Sequence, residues 1–425
     1  MTKKFKKSRQ RVVAIAGVAM AAALLAACGS SSSSSSTSSS SSKSKFTGTV
    51  TIGVDTATSG FFGESGVDGD DGITMAVNAI NKSGGLLGKK VLVDFRNDNA
   101  SVPTAISNTQ SLIQDDHVSA LFGASTSSTV GAMESLATKY QLPLMIWNGN
   151  DIATVTTDYS KYAFQLQPNT YMEPLGAAQY LSKLPYRRYY FITPDYSFGR
   201  DDIDSFQASM KSLGIKLDNL GTSYTQIGQP SFTSAISAAL ATHPQMIFLG
   251  IFGGDEVTFI KQAESYNLFS KTAVFGPTGT DTLLALGKAT PTKNLYLNDR
   301  APFFAIKTAA MKTFTNQFHT LYGSWPSEWG VLGYSAVQSW AQGVEKAKSF
   351  TGNAVSAALK GDTVHTLKGS FQFQACDNQA VVPDYFGKVA STVSAKYGFP
   401  LLTDLFVSSP TKTLMSCSEA LKLRG

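Results

Sequence analysis

"VSALFGASTSSTVGAMESLATKYQLPLMIW", residues 118–147, reads as a strand, a helix and a second strand in immediate succession. Val118–Gly123 is a short apolar run, and Leu142–Trp147 is another. Between them Val130, Met133, Leu136 and Tyr140 recur at helical spacing, which gives the intervening segment one inward face. Parallel strands need such a crossover of a dozen residues or more, usually a helix. The same unit repeats outward from this stretch. Val50–Val54 ("VTIGV") and "KVLVDF" read as strands, with Ile73, Val77 and Ile80 on a helix between them. Pro103 opens a further helix that carries Ile106, Thr109 and Ile113.

After "YAFQLQP" (Tyr162–Pro168) the alternation restarts, with a helix near Met172–Leu184 and then "YYFITP". A helix with Ile203, Phe206, Met210 and Leu213 follows, and "MIFLG", "TAVFG" and "NLYLN" are further strands. From Pro302 the order changes to helices near Lys307–Tyr322 and Leu332–Ala347, then short strands around "GSFQFQ" and "YFGKVA". Repeated βα units predict parallel sheets flanked by helices. The expected fold is therefore α/β with two lobes joined by several crossings. Ligands in such sheets bind beyond the carboxyl ends of the strands, and clefts between domains are favoured sites.

Charge is distributed unevenly. The net charge is +6, but Lys3, Lys4, Lys6, Lys7, Arg9 and Arg11 precede every acidic residue, leaving 30 basic residues against 30 acidic ones. A neutral body removes the electrostatic case for nucleic acid. The basic start, the apolar run Val12–Leu25 and the small residues before Cys28 form a secretory signal. That run is shorter than the roughly 20 residues a spanning helix needs. Leu25-Ala26-Ala27-Cys28 resembles a bacterial lipobox, which implies residues 1–27 as signal peptide and Cys28 as the lipidated N-terminus. The serine-rich segment that follows, within residues 28–46, reads as a tether with a span of roughly 20–25 Å. The working location is then the outer face of the cytoplasmic membrane. In that compartment Cys376 and Cys417 are expected to pair, the other possibility being two buried thiols.

Catalytic signals are weak. His117, His243, His319 and His365 are each isolated, without metal-ligand spacing, and no nucleophile elbow or phosphate-binding loop occurs. No cofactor or metal is expected. Gly63, Gly66 and Gly69 read as loop formers, and Asp70-Asp71 and Asp201-Asp202 as acids at helix starts. The hydroxyl run is more pointed. Ser125, Thr126, Ser127 and Ser128 enter a helix, where free N–H groups and the dipole suit a carboxylate. One of them would suffice as an ordinary N-cap. The next strand ends in Trp147-Asn148-Gly149-Asn150-Asp151, which is turn chemistry facing the same expected cleft.

Lipobox, tether and the motifs "NAINKSGGLLGKKV", "FGASTSST", "DYSFGRDD", "FGPTGTD" and "GYSAVQSWAQGVEKA", in that order, make the chain resemble an ABC-importer substrate-binding lipoprotein. The branch is the type I, leucine/isoleucine/valine-binding-protein-like one. The resemblance implies a non-enzymatic, monomeric protein whose two lobes close on a small solute, usually an amino acid, and deliver it to permease and ATPase partners. It implies lobe 1 as residues 47–166 with about 298–375, and lobe 2 as 167–297 with about 376–425. It assigns the carboxylate site to Ser125, Thr126 and Ser127, polar contacts to Asn148 and Asn150, and aromatic contacts to Phe198 and Phe252, with Trp147 nearby. Two positions depart from the family. Thr278 stands where amino-acid-binding members carry an acid for the ligand ammonium, and Phe198 lacks the usual tyrosine hydroxyl. Asp255, Asp195 or Asp151 would have to replace that acid; otherwise the expected ligand is a carboxylate or amide with no obligatory α-amino group. A ligand-sensing lipoprotein and a secreted α/β enzyme are the competing readings.

Overall fold

The computed structural model describes residues 46–424. The signal segment, the lipidation site Cys28 and the serine tether lie outside the described residues. Among the described residues no helix is long and apolar enough to cross a membrane.

Five strands form the first sheet: β1 (Gly48–Asp55), β2 (Lys89–Arg96), β3 (Leu121–Gly123), β4 (Leu144–Ile146) and β5 (Ala163–Gln165). They are all parallel, in the order β2-β1-β3-β4-β5. The second sheet holds β6 (Arg188–Pro194), β7 (Asp218–Thr225), β8 (Met246–Leu249), β9 (Ala273–Gly276) and β10 (Leu295–Asp299). After the small hairpin β11 (Thr363–Thr366) and β12 (Gly369–Gln372), β13 (Tyr385–Val393) and β14 (Pro400–Val407) complete it. Its order is β14-β13-β10-β9-β8-β6-β7, parallel from β7 to β10. β13 and β14 add an antiparallel edge to an otherwise parallel sheet. The chain passes between the sheets after β5, after β10 and again before β13.

Helices cover the sheets. α1 (Gly63–Lys82), α2 (Val102–Gln114) and α3 (Ser127–Tyr140) follow β1, β2 and β3; α4 (Met172–Leu181) and α5 (Ser197–Ser212) flank β6. α6 (Thr233–Ala241), α7 (Gly253–Ser265) and α8 (Thr280–Leu286) complete the second set. α9 (Ala309–Tyr322), α10 (Glu328–Ala347) and α11 (Gly352–Leu359) follow β10. α10 lies against α1, and glycine makes that possible. A Cβ on Gly72 would sit 2.1 Å from the Gly330 carbonyl oxygen, and one on Gly333 would sit 2.4 Å from that of Gly69. The two helices therefore touch backbone to backbone.

Three expectations are corrected here. Gly63, Gly66 and Gly69 do not form a loop, because α1 begins at Gly63 and the others lie inside it. Gly66 and Gly69 are packing glycines: a Cβ on Gly66 would meet the Ala57 carbonyl at 2.0 Å, and one on Gly69 the Trp147 ring at 1.9 Å. Asp70 and Asp71 consequently sit within α1 rather than at its start. Asp201 and Asp202 also fall just beyond the first turn of α5, and Asp202 is buried. Cys376 and Cys417 are joined by a disulfide that ties the third crossing to the C-terminal helix Cys417–Leu423.

Candidate functional site

A cleft opens where the strand ends of the two sheets meet. Each parallel sheet reverses its strand order once, beside β1 and beside β6, and crevices form at such switch points. From the first sheet come Phe62 and Ser65 after β1, Ser125, Thr126 and Ser127 after β3, and Asn148, Gly149 and Asn150 after β4. From the second come Tyr196 and Phe198 after β6, Phe252 and Gly253 after β8, and Pro277, Thr278 and Asp281 after β9. Arg300 follows β10, and Trp329 stands in the first turn of α10. The two walls touch at their rim, where the Phe61 and Phe62 rings pack 5.5 and 5.6 Å from that of Phe252.

The hydroxyl run divides its labour. Thr126 is the N-cap of α3, forming a reciprocal box with Thr129 in which each hydroxyl accepts the other's N–H at 3.0–3.1 Å. Ser125 Oγ accepts the Ala57 N–H at 2.6 Å, so its own proton remains available. Ser127 occupies the first position of α3, whose N–H groups have no partner within the helix. Beside them Asn148 is buried, and its Nδ2 lacks an acceptor. Hydrogen-bond donors thus converge on one wall at a positive helix end, an arrangement suited to a carboxylate. Asn150 also lines the cleft, but its Nδ2 is engaged, donating to Glu173 Oε2 at 2.8 Å. Glu173 in turn pairs with the buried Arg300, 2.5 Å from Nε and 2.9 Å from Nη2.

The facing wall is aromatic and acidic. Phe198 meets Phe252 edge to face at 5.4 Å and stacks on Tyr196 at 5.8 Å. Thr278 lines the cleft, but its hydroxyl is bonded to the buried Glu256. Burial pushes Glu256 up to about 8, so it carries little charge near neutral pH. Asp281 is the carboxylate that reaches the cleft. Burial, then the charges of Asp68 and Glu64, push it up to about 7. Its backbone N–H donates to Glu328 Oε2 at 2.8 Å, which fixes the start of α8.

Eight of the ten residues expected in the site line this cleft: Ser125, Thr126, Ser127, Asn148, Asn150, Phe198, Phe252 and Thr278. Trp147 and Asp255 are placed elsewhere. Trp147 is fully buried in the core of the first sheet, with its ring against Gly69. Asp255 accepts the Gly228 N–H at 2.9 Å. The other acids considered are occupied too: Asp195 pairs with Arg200 at 2.6 Å, and Asp151 caps a turn through the Ala153 N–H. Asp281, Arg300, Trp329, Phe62 and Tyr196 were not anticipated. Asp281 lies three residues past Thr278 in the quoted "FGPTGTD", so a search one helical turn further along would have found it.

Two α/β lobes whose strand ends jointly line one small, largely buried cleft define a two-lobed solute-binding protein. The chain belongs to the periplasmic binding protein family, matched over residues 49–394, and its place is extracytoplasmic. No curated protein matches it. Solved structures share its fold at low identity. An amino acid ABC transporter substrate-binding protein from Pseudomonas fluorescens Pf-5 is 22% identical, covering 87% of this chain and 97% of that one, with a TM-score of 0.77. An ABC transporter solute-binding protein from Rhodopseudomonas palustris BisB5, in complex with 3,4-dihydroxybenzoic acid, is 21% identical, with coverage of 86% and 99% and a TM-score of 0.75. A branched-chain amino acid transporter substrate-binding protein from Streptococcus pneumoniae, in complex with isoleucine, is 20% identical, with coverage of 85% and 100% and a TM-score of 0.73.

Proposed function

We propose that this protein is the solute-binding subunit of an ABC importer, held at the outer face of the cytoplasmic membrane through Cys28. It captures one small organic carboxylate between its lobes and passes it to a permease driven by an ATPase, acting as a monomer and catalysing no reaction. The observation that carries the reading is the polarity of the cleft. Donors at the start of α3 face aromatic rings and Asp281 across the cleft. The carboxylate is held by Ser125, Ser127 and Asn148, and the body of the ligand packs between Phe62, Tyr196, Phe198 and Phe252.

Asp281 changes what the departure at Thr278 implies. With an acid one helical turn further on, the cleft accepts a ligand that carries an amine, and amino acids with apolar or aromatic side chains fit both walls. Aromatic carboxylates with a hydroxyl donor towards Asp281 form the second class. Mass spectrometry of the small molecules released on denaturing freshly purified protein tests the reading. One carboxylate per chain is expected. Release of a phosphorylated or carboxylate-free compound instead would overturn the ligand class.

A further inference from the structure

A second concavity shares no residue with the cleft. It lies between the segment that follows β10 and the turn joining β13 to β14, and it has a cavity volume of about 410 Å³. That falls within the range of small-molecule pockets, about 300–1,000 Å³. One side is Phe303, Phe304 and the start of α9 with Lys307 and Lys312; the other is Lys396 and Tyr397. No acidic residue lines it, and none of the three lysines enters an ion pair among the described residues. Lys307 Nζ is fixed at the groove by donating to the Phe304 carbonyl at 2.6 Å, which leaves further N–H donors free. Lys396 Nζ is held over rings instead of by a carboxylate, 4.8 Å from that of Tyr397 and 5.6 Å from that of Trp325. Trp325 backs the groove, stacked at 6.2 Å on Phe303 and edge-on to Tyr397 at 4.9 Å.

We infer that this groove is a second ligand site, which takes a small organic anion with a flat apolar body. The rings supply the apolar faces, and three cations lining the groove without an acidic residue beside them supply the selectivity for negative charge. A neutral ligand of the same shape gains only the first of these. The site stands independently of the function proposed for the cleft, because its walls, charges and rings are all separate.

Tryptophan placement makes the two sites separately observable. The chain has four tryptophans, of which Trp325 backs the groove and Trp329 lines the cleft. Protein labelled with 15N-tryptophan, with the Trp325 indole signal assigned through Trp325→Phe, is titrated with 2-naphthoate and with neutral 2-naphthamide. The expected result is saturable movement of the Trp325 signal by the carboxylate and at least about tenfold weaker binding of the amide, since a charge-assisted contact is lost. Lys307→Glu combined with Lys396→Glu abolishes the movement, with the Trp147 and Trp340 signals in place as a check on folding. Lys312→Glu, an exposed substitution on α9, weakens it on its own. The inference is overturned if 2-naphthoate moves only Trp329, if the amide binds equally well, or if Lys312→Glu and the double variant bind 2-naphthoate as the parent does.

Discussion

At Asp281, burial and the neighbouring charges of Asp68 and Glu64 push the carboxyl up to about 7, against an unfolded value of about 3.9. The folded state therefore binds a proton more readily than the unfolded chain between those two values. Stability from this group falls as pH rises from about 4 to about 7 and is level above that. Asp281→Asn removes the penalty. The gain in stability of the ligand-free variant over the parent should be absent near pH 4, grow to pH 7 and then stay constant in urea titrations. A gain that shrinks with pH would place the carboxyl in a different environment. The same residue gives a binding prediction. Asp281→Asn should weaken an amine-bearing ligand by roughly 1.5–3 kcal/mol and leave its deaminated analogue nearly unaffected, measured by calorimetry. On the opposite wall, Ser125→Ala removes both the acceptor for the Ala57 N–H and the donor proposed for the ligand carboxylate. A loss of roughly 1.5–3 kcal/mol of affinity is expected for every carboxylate, with or without an amine.

Between elements, the contact of α1 with α10 and with Trp147 depends on missing side chains. Alanine in place of a mid-helix glycine normally gains about 1 kcal/mol of helix propensity. At Gly69 the new Cβ would lie 1.9 Å from the Trp147 ring, and at Gly72 2.1 Å from a backbone oxygen of α10. Neither neighbour has room to yield, so overpacking of about 1–3 kcal/mol or more should dominate. Both Gly69→Ala and Gly72→Ala should lower the thermal midpoint; a rise for Gly72→Ala would mean that α1 and α10 are further apart than described, and a rise for Gly69→Ala that Trp147 is further from α1. These glycines also mark the limit of reading the chain by pattern. Helical periodicity located α1 from Ile73 onward, but its first two turns are rich in Gly and Asp, which usually mark a loop. β7 and β14 were missed for a related reason. They are edge strands, half exposed along much of their length, so their apolar signal is diluted. The buried parallel strands β8 and β9 were plain because they read as continuous apolar runs. In the site, the hydroxyls of residues 125–127 stood out because strand and helix meet there in sequence. Arg300 and Trp329 reach the cleft only through tertiary packing, and no local spacing announces them.

Over the whole molecule, two sheets exchange chain three times, and the disulfide closes the last exchange onto the body. The bond spans 41 positions in sequence, for which loop-closure entropy gives about 4 kcal/mol. Cys376→Ser with Cys417→Ser should therefore unfold at lower urea without altering ligand stoichiometry, since neither cysteine lines the cleft. Phe61 and Phe62 contact Phe252 across the two walls, a contact that any parting of the walls would break. The central claim is that this cleft holds one small carboxylate. Its most direct test is calorimetric titration of ligand-stripped, refolded protein with amino acids and their deaminated analogues, run in parallel on Ser125→Ala and Asp281→Asn. The account predicts one site per chain, weakened by Ser125→Ala for every ligand that binds and by Asp281→Asn only for those with an amine. Binding that leaves the parent and both variants indistinguishable would contradict it.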